Sequence, residues 1–258
     1  MRIRGLQIIT TLGVLVLLLT STMPGENELP RFITTGTSIA IIAKADQIAA
    51  AADSKIILGR NRLLSSDCKI KQSGDAFFTI AGHRREELSS FDAIFIAREV
   101  FRTSYTAADR VNKFEILIYG PLFNMLRITQ LRDPSYFESN LQNKTILQAA
   151  FFGFERGSPY LYVRSFRCKT ISSGQIVIEI ERQACVAQCE LLTILGKNSA
   201  VEHYINQTAD YKQKLPIELV KKFVELEIAD EPEIVGPPID ILQITKTGAV
   251  WKQRKPEC

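Results

Sequence analysis

The 258-residue chain predicts an α+β fold, a four-layer αββα sandwich in which two antiparallel sheets pack on each other between outer pairs of helices. Three observations carry this. Short apolar runs come in closely spaced pairs, as antiparallel hairpins require. Helical periodicity is confined to two blocks, each lying between groups of strands. Apolar residues make up 46% of the chain against 23% charged, enough to fill a substantial core at this length.

The elements follow in order. Residues 1–24 read as an export signal. Arg2 and Arg4 give a basic start, Leu6 to Leu19 is apolar and free of charge, and Ser21-Thr22-Met23-Pro24-Gly25 is small and turn-forming. The apolar run is shorter than the ~20 residues of a spanning helix. No A-x-A-like cleavage site follows it, so the alternative is an uncleaved anchor, and membrane contact is expected only in that case. Residues 25–36 are polar and proline-containing and read as a linker or propeptide, leaving 37–258 as the folded domain. Thr37–Ala43 and Ile48–Ala52 form a hairpin of buried strands. Lys69–Gln72 and Ala76–Ala81 form another around the turn Ser73-Gly74-Asp75. A helix is expected over Arg84–Arg102, with Glu86 and Glu87 near its start and Arg98 and Arg102 near its end. A second runs over Ala107–Leu131, broken at Gly120-Pro121. Strands return at Ile146–Phe154, Tyr160–Phe166 and Ile176–Ile180, the first two joined by the turn Glu155-Arg156-Gly157-Ser158. Helices over Ala200–Tyr211 and Pro216–Ala229 precede a last strand, Ile239–Thr245, and Trp251 with its basic neighbours reads as an exposed terminus.

A net charge of +4, small and scattered, argues against nucleic acid as the main partner. Five cysteines (Cys68, Cys168, Cys185, Cys189, Cys258) leave at least one unpaired within the chain, and buried thiols compete with disulfides as their reading. The only histidines, His83 and His203, lie near no second ligand pair, so no metal is expected, nor any other cofactor.

The chemistry concentrates early. A threonine that begins a mature chain carries a nucleophile and a base together, its hydroxyl and its freed α-amine. Thr37 follows Gly36 and opens an apolar strand. Asp53 and Lys69 lie downstream, a carboxylate to orient a lysine and a lysine to favour the alkoxide. Gly36 permits the tight bend that attack on the preceding carbonyl needs, and the backbone N–H of Gly82 is a candidate oxyanion donor.

Gly36-Thr37-Ser38-Ile39-Ala40, Ala51-Ala52-Asp53-Ser54-Lys55, Lys69 and Thr79-Ile80-Ala81-Gly82 together resemble the proteasome β-type subunits of the N-terminal-nucleophile (Ntn) hydrolase superfamily. The likeness extends from Gly36 to about Val250 and is strongest up to Gly82. It implies the Ntn type of αββα sandwich and Thr37, Asp53, Lys69 and Gly82 as the catalytic group. It also implies processing at Gly36, a peptide or small amide as substrate, and a small homo-oligomer. It further implies that the pocket for the residue before the scissile bond lies near Ile56, Asp67, Lys71, Ile80 and Arg84, where Asp67 either favours a basic side chain or is neutralised by Lys71 or Arg84. His83, at a strand end, reads as a polar loop residue or a substrate contact.

Two departures stand out. Where the family has a Gly-Ser-Gly-Ser-like loop, this chain has Gly196-Lys197-Asn198-Ser199: Gly196 and Ser199 fit, and Lys197 replaces a serine. Where it has Asp-x-x-Ser-Gly, this chain has Pro232-Glu233-Ile234-Val235-Gly236, leaving Asp230, Glu231 or Glu233 to supply the acid and nothing to supply the serine. The expectation is therefore an exported, self-cleaving threonine-nucleophile amide hydrolase, most plainly a peptidase. Its rival is a proteasome-like subunit that assembles or binds without catalysis.

Overall fold

The computed structural model describes residues 32–58, 63–103, 106–171, 174–256 and 258. The expected signal segment 1–24 and the linker through residue 31 lie outside the described residues. Among those described, the chain is mixed α+β, with two antiparallel sheets and five α-helices.

The elements are β1 (Phe32–Thr35), β2 (Ser38–Ala43), β3 (Gln47–Ala52), β4 (Lys55–Leu58), β5 (Leu63–Ser66), β6 (Ile70–Ser73), β7 (Ala76–Glu86) and β8 (Phe91–Asp92). Helices α1 (Ala93–Thr103), α2 (Ala107–Arg132) and the short α3 (Pro134–Tyr136) follow. Then come β9 (Thr145–Glu155), β10 (Ser158–Thr170), β11 (Ile176–Val186) and β12 (Leu191–Gly196). The chain closes with α4 (Ser199–Gln207), α5 (Pro216–Asp230), β13 (Asp240–Thr245) and β14 (Gly248–Gln253). The larger sheet runs β11-β10-β9-β7-β1-β4-β5, with β6 and β8 also paired to β7; the smaller runs β12-β2-β3-β13-β14.

Period-two alternation divides the core. In β2, Ile39 and Ile41 join Ile48 and Leu242 of the smaller sheet against Phe77, Phe152, Leu161 and Val163 of the larger. Their neighbours Ala40 and Ile42 point the other way, onto Val201 of α4 and Val220, Phe223 and Val224 of α5. Phe78, Ile80, Phe151 and Phe166 leave the opposite face of the larger sheet to meet Ala97, Val100, Phe114 and Leu122 of α1 and α2. Both faces of β2 and β3 are thus covered, which is why their sequences read as continuous apolar runs. Each fully buried phenylalanine in these clusters contributes roughly 1.5–3 kcal/mol.

Several expectations are corrected. The segment from Arg84 is strand: β7 continues through Glu86, and α1 begins only at Ala93. The Glu86 carboxylate, buried, accepts the N–H groups of Leu88 and Ser89 at 2.8 and 2.7 Å and so builds a turn. Asp92 is the residue that caps α1, accepting the N–H of Phe95 at 2.9 Å. Helix α2 runs unbroken through Pro121, because Gly120 and Pro121 lie on its exposed face, where water can replace the missing intrahelical donor. Helix α4 stops at Gln207, short of Tyr211. Trp251 belongs to β14, half-buried with its ring edge-on to Phe77 at 6.4 Å, and is not part of a loose tail. Two disulfides form, Cys68–Cys258 and Cys185–Cys189, and Cys168 is a buried free thiol.

Candidate active site

The β2–β3 hairpin brings Thr37 and Asp53 together. Thr37 immediately precedes one strand, Asp53 immediately follows the other, and Ile39 pairs with Ala52 between them. The Asp53 carboxylate organises the site. Its Oδ1 accepts the N–H of Ser38 at 3.0 Å and the ammonium of Lys69 at 2.5 Å. Its Oδ2 accepts the N–H groups of Lys55 at 3.1 Å and Gly236 at 3.2 Å. Thr37 and Asp53 are fully buried and Lys69 is 2% exposed. The Thr37 hydroxyl is itself buried and, among the described residues, has no hydrogen-bond partner.

Burial outweighs pairing in setting the protonation of this pair. It pushes the Lys69 ammonium down to about 8, while the Asp53 charge opposes the shift. It also raises the Asp53 carboxyl, against Lys69 and the surrounding N–H donors. A lysine this close to neutrality at physiological pH can exchange a proton readily, as a group assisting a hydroxyl must.

A cleft of about 230 Å³ opens beside Thr37, walled by Gly36, Gly82, Gln148, Gly196 and Lys197 among others. Gly196, at φ 82°, packs so closely that a Cβ there would lie 1.9 Å from the Thr37 carbonyl oxygen. That carbonyl accepts the N–H of Lys197 at 2.7 Å, and the Gly196 N–H is held by the Gln148 side chain at 2.8 Å. Gly82, at φ 93°, lines the cleft, and a Cβ there would strike the Ile146 carbonyl at 2.4 Å.

The loop where the resemblance implies a serine-based support is arranged differently. Lys197 holds Thr37 through its backbone and sends its ammonium 2.8 Å from Glu231. Ser199 donates to Asp230 at 3.2 Å, but both are exposed, and among the described residues the cleft wall includes neither. The acid that meets the loop is Glu231, and Val235, where a serine is expected, is buried and apolar.

Within the expected linker or propeptide, residues 32–35 are strand. They form β1, between β4 and β7: Thr34 pairs with Ile57 on one side and His83 on the other, and Thr35 pairs with Gly82. Gly36 is not demanded by a bend, because its φ lies outside the left-handed region. Space demands it: a Cβ would sit 1.9 Å from Ile234 Cγ2 and 2.6 Å from the Ile234 carbonyl oxygen.

His83 is a strand residue of β7, not a loop residue. Its Nε2 lies 3.1 Å from the Tyr136 hydroxyl, and burial pushes its pKa down to about 4. Asp67 is neutralised as the sequence allowed, by Lys71 at 2.9 Å and by Arg84. Burial pushes its carboxyl up, but the two cations outweigh this and hold it below the usual range. Among the described residues, no three His, Cys, Asp or Glu side chains gather as metal ligands would, and no helix is long and apolar enough to cross a membrane.

Gln148 and Ile234 escaped the sequence reading. A lone amide inside the apolar run Ile146–Phe154 was the available signal for Gln148; Ile234 carried none. No protein-family profile matches the chain, and no curated protein is significantly similar to it.

Proposed function

We propose that the chain is an autoprocessed threonine-nucleophile amide hydrolase of the proteasome-like Ntn type, with the αββα layering of that type, and that it acts as a peptidase. The observation that carries this is the single oxygen, Asp53 Oδ1, which binds both the Lys69 ammonium and the backbone of Ser38, the residue after Thr37, whose buried hydroxyl has no hydrogen-bond partner among the described residues. Nothing in a purely structural role requires a lysine to be buried there, and burying it is costly.

The steps follow from these groups. In maturation the Thr37 hydroxyl attacks the Gly36 carbonyl. The Gly36–Thr37 amide bond breaks as an ester forms on Thr37 Oγ1, and the hydroxyl proton passes to the departing amine. Water hydrolyses the ester, leaving a carboxylate at Gly36 and a free α-amine on Thr37. In turnover that amine, with a reference pKa of about 8, takes the hydroxyl proton as Oγ1 attacks the substrate carbonyl. An acyl-enzyme forms, the amine product leaves with the proton, and water releases the acid. Gly82, on the cleft wall, is the proposed oxyanion donor.

A peptide is favoured over a small amide because β1 already lies as an extended strand with partners on both sides and leads directly to the scissile bond. The two disulfides support export to an oxidising compartment. The rival reading, a non-catalytic subunit, draws on the Lys197–Glu231 pair that stands where a serine-based support is expected. Hydrolysis of peptide amides by purified protein separates the two. Thr37→Ala is expected to abolish turnover and Lys69→Ala to reduce it at least ~100-fold, the usual weight of such a group. Turnover that survives Thr37→Ala would refute the mechanism.

A further inference from the structure

We propose that the Cys68–Cys258 disulfide is a positioning device for Lys69: it clasps the segment that carries the lysine to the chain packed beside Asp53, and opening it slows hydrolysis in the folded protein. The inference rests on the hydrolase reading above and adds a redox-sensitive support to that same site.

Cys68 immediately precedes Lys69, and both lie in irregular chain between β5 and β6. On one side Asp67 is held. Its N–H bonds the Ser54 carbonyl at 2.9 Å, and its carboxylate meets Lys71 and Arg84. On the other side Ile70 pairs with Thr79 of β7. The disulfide fixes the stretch between them, joining Cys68 to Cys258 with their Cα atoms 5.6 Å apart.

The far end of the disulfide leads back to the same site. The Cys258 N–H bonds the Lys255 carbonyl at 3.0 Å, and the Lys255 N–H bonds Asp240 Oδ1 at 2.9 Å. Lys255 and Asp240 are both buried. Asp240 opens β13 opposite Ala52 of β3, and Ala52 directly precedes Asp53. The path therefore closes into a ring. It runs from Asp53 through Ala52, Asp240, Lys255 and Cys258 to Cys68, and from Lys69 back to Asp53 across the 2.5 Å ion pair. A buried ammonium gains by reaching water, so its backbone must be held if the pair is to stay closed. Freeing the residue directly before Lys69 loosens that hold, and a misplacement of about 1 Å in such a group can cost ~100-fold in rate. Cys68 and Cys258 are both half-buried, within reach of a small dithiol. Its thiolate attacks one sulfur and its second thiol then closes the reductant's own disulfide, which leaves thiols on Cys68 and Cys258.

The test uses mature protein carrying Cys185→Ser and Cys189→Ser, so that Cys68–Cys258 is the disulfide that dithiothreitol opens. The substrates are fluorogenic anilides of acetylated tetrapeptides ending in Arg, Leu or Glu, and the one turned over fastest is carried forward. On reduction kcat is expected to fall about 10–100-fold with KM changed less than ~2-fold, the near-UV circular dichroism unchanged and the rate restored by reoxidation. The pH profile gives a readout that a mere loss of stability does not move. Burial lowers the pKa of Lys69, and Asp53, Arg84 and Asp67 are the charges that bear on it. Water admitted beside the lysine raises that pKa, so the limb of the kcat profile that belongs to Lys69 moves to higher pH. Cys68→Ser/Cys258→Ser in the same background is expected to match the reduced protein without any reductant. An unchanged kcat and pH limb in the opened protein overturns the clasp and leaves the hydrolase reading standing. Near-UV dichroism lost together with activity assigns the disulfide to the fold as a whole and likewise overturns the clasp. No hydrolysis of any of the peptides, by oxidised protein whose first residue is Thr37, overturns both.

Discussion

Removing Lys69 exposes how the buried pair is balanced. Lys69→Met deletes an ammonium of similar volume and leaves the Asp53 carboxylate fully buried. Breaking a buried ion pair from one side costs about 3–5 kcal/mol, because the remaining charge stays uncompensated. Here three N–H donors remain on Asp53, from Ser38, Lys55 and Gly236, which puts the expected loss at the lower end, about 3 kcal/mol. Asp53→Asn strips the lysine of its counter-charge and turns an amide donor toward two of those N–H groups. Its expected cost is also about 3–5 kcal/mol. In the double variant no charge is left stranded, so the combined loss is expected to fall at least ~2 kcal/mol short of the sum. The assay is urea unfolding at pH 7 in a Thr37→Ala background, which keeps every variant in the uncleaved form, with slopes checked for constancy. Losses that simply add, to within ~0.5 kcal/mol, would refute the claim that the two groups act as one buried pair.

Two further outcomes are expected. His83 titrates near 4 when folded and near its ordinary 6.5 when unfolded, so between those values the unfolded chain binds the extra proton. Stability should therefore fall as pH drops from 6.5 to about 4, by up to about 3 kcal/mol, and His83→Gln should flatten that slope; an unchanged slope would remove His83 as its source. The Cys68–Cys258 disulfide spans a sequence separation of 190, so Cys258→Ser, or reduction of the wild type, should cost about 2–5 kcal/mol in thermal or urea unfolding. A loss under ~0.5 kcal/mol would mean the tail is held without it.

Much of the fold was legible because burial on both faces leaves a plain trace. The runs Ile39–Ala43 and Ile48–Ala52 are unbroken and apolar because the other sheet lies on one side and α5 on the other. Ser73-Gly74-Asp75 and Arg156-Gly157 are turns by residue chemistry, and Gly74, Arg156 and Gly157 do adopt positive φ. What stayed hidden depends on partners distant in sequence. β1 lies in a stretch whose polarity and proline resemble a linker, and only pairing with β4 and β7 makes it a strand. The expected helix from Arg84 failed because Glu86 matches a helix start by charge and serves a turn by geometry. The site divides the same way. Thr37, Asp53 and Lys69 are recognisable by residue type and order, and Asp53 does join the Ser38 backbone to Lys69. The supports resisted reading because they work through backbone: the Lys197 N–H on Thr37 and the Gly236 N–H on Asp53 leave no residue-type signature. The space that demands Gly36 is likewise set by Ile234, far along the chain.

The most direct test of the central claim is intact mass with N-terminal sequencing of the protein expressed from Met1, beside its Thr37→Ala variant. The account expects the wild-type chain to begin at Thr37 and the variant to keep the Gly36–Thr37 bond. A wild-type chain that retains that bond, or a variant cut there as readily as the wild type, would contradict it.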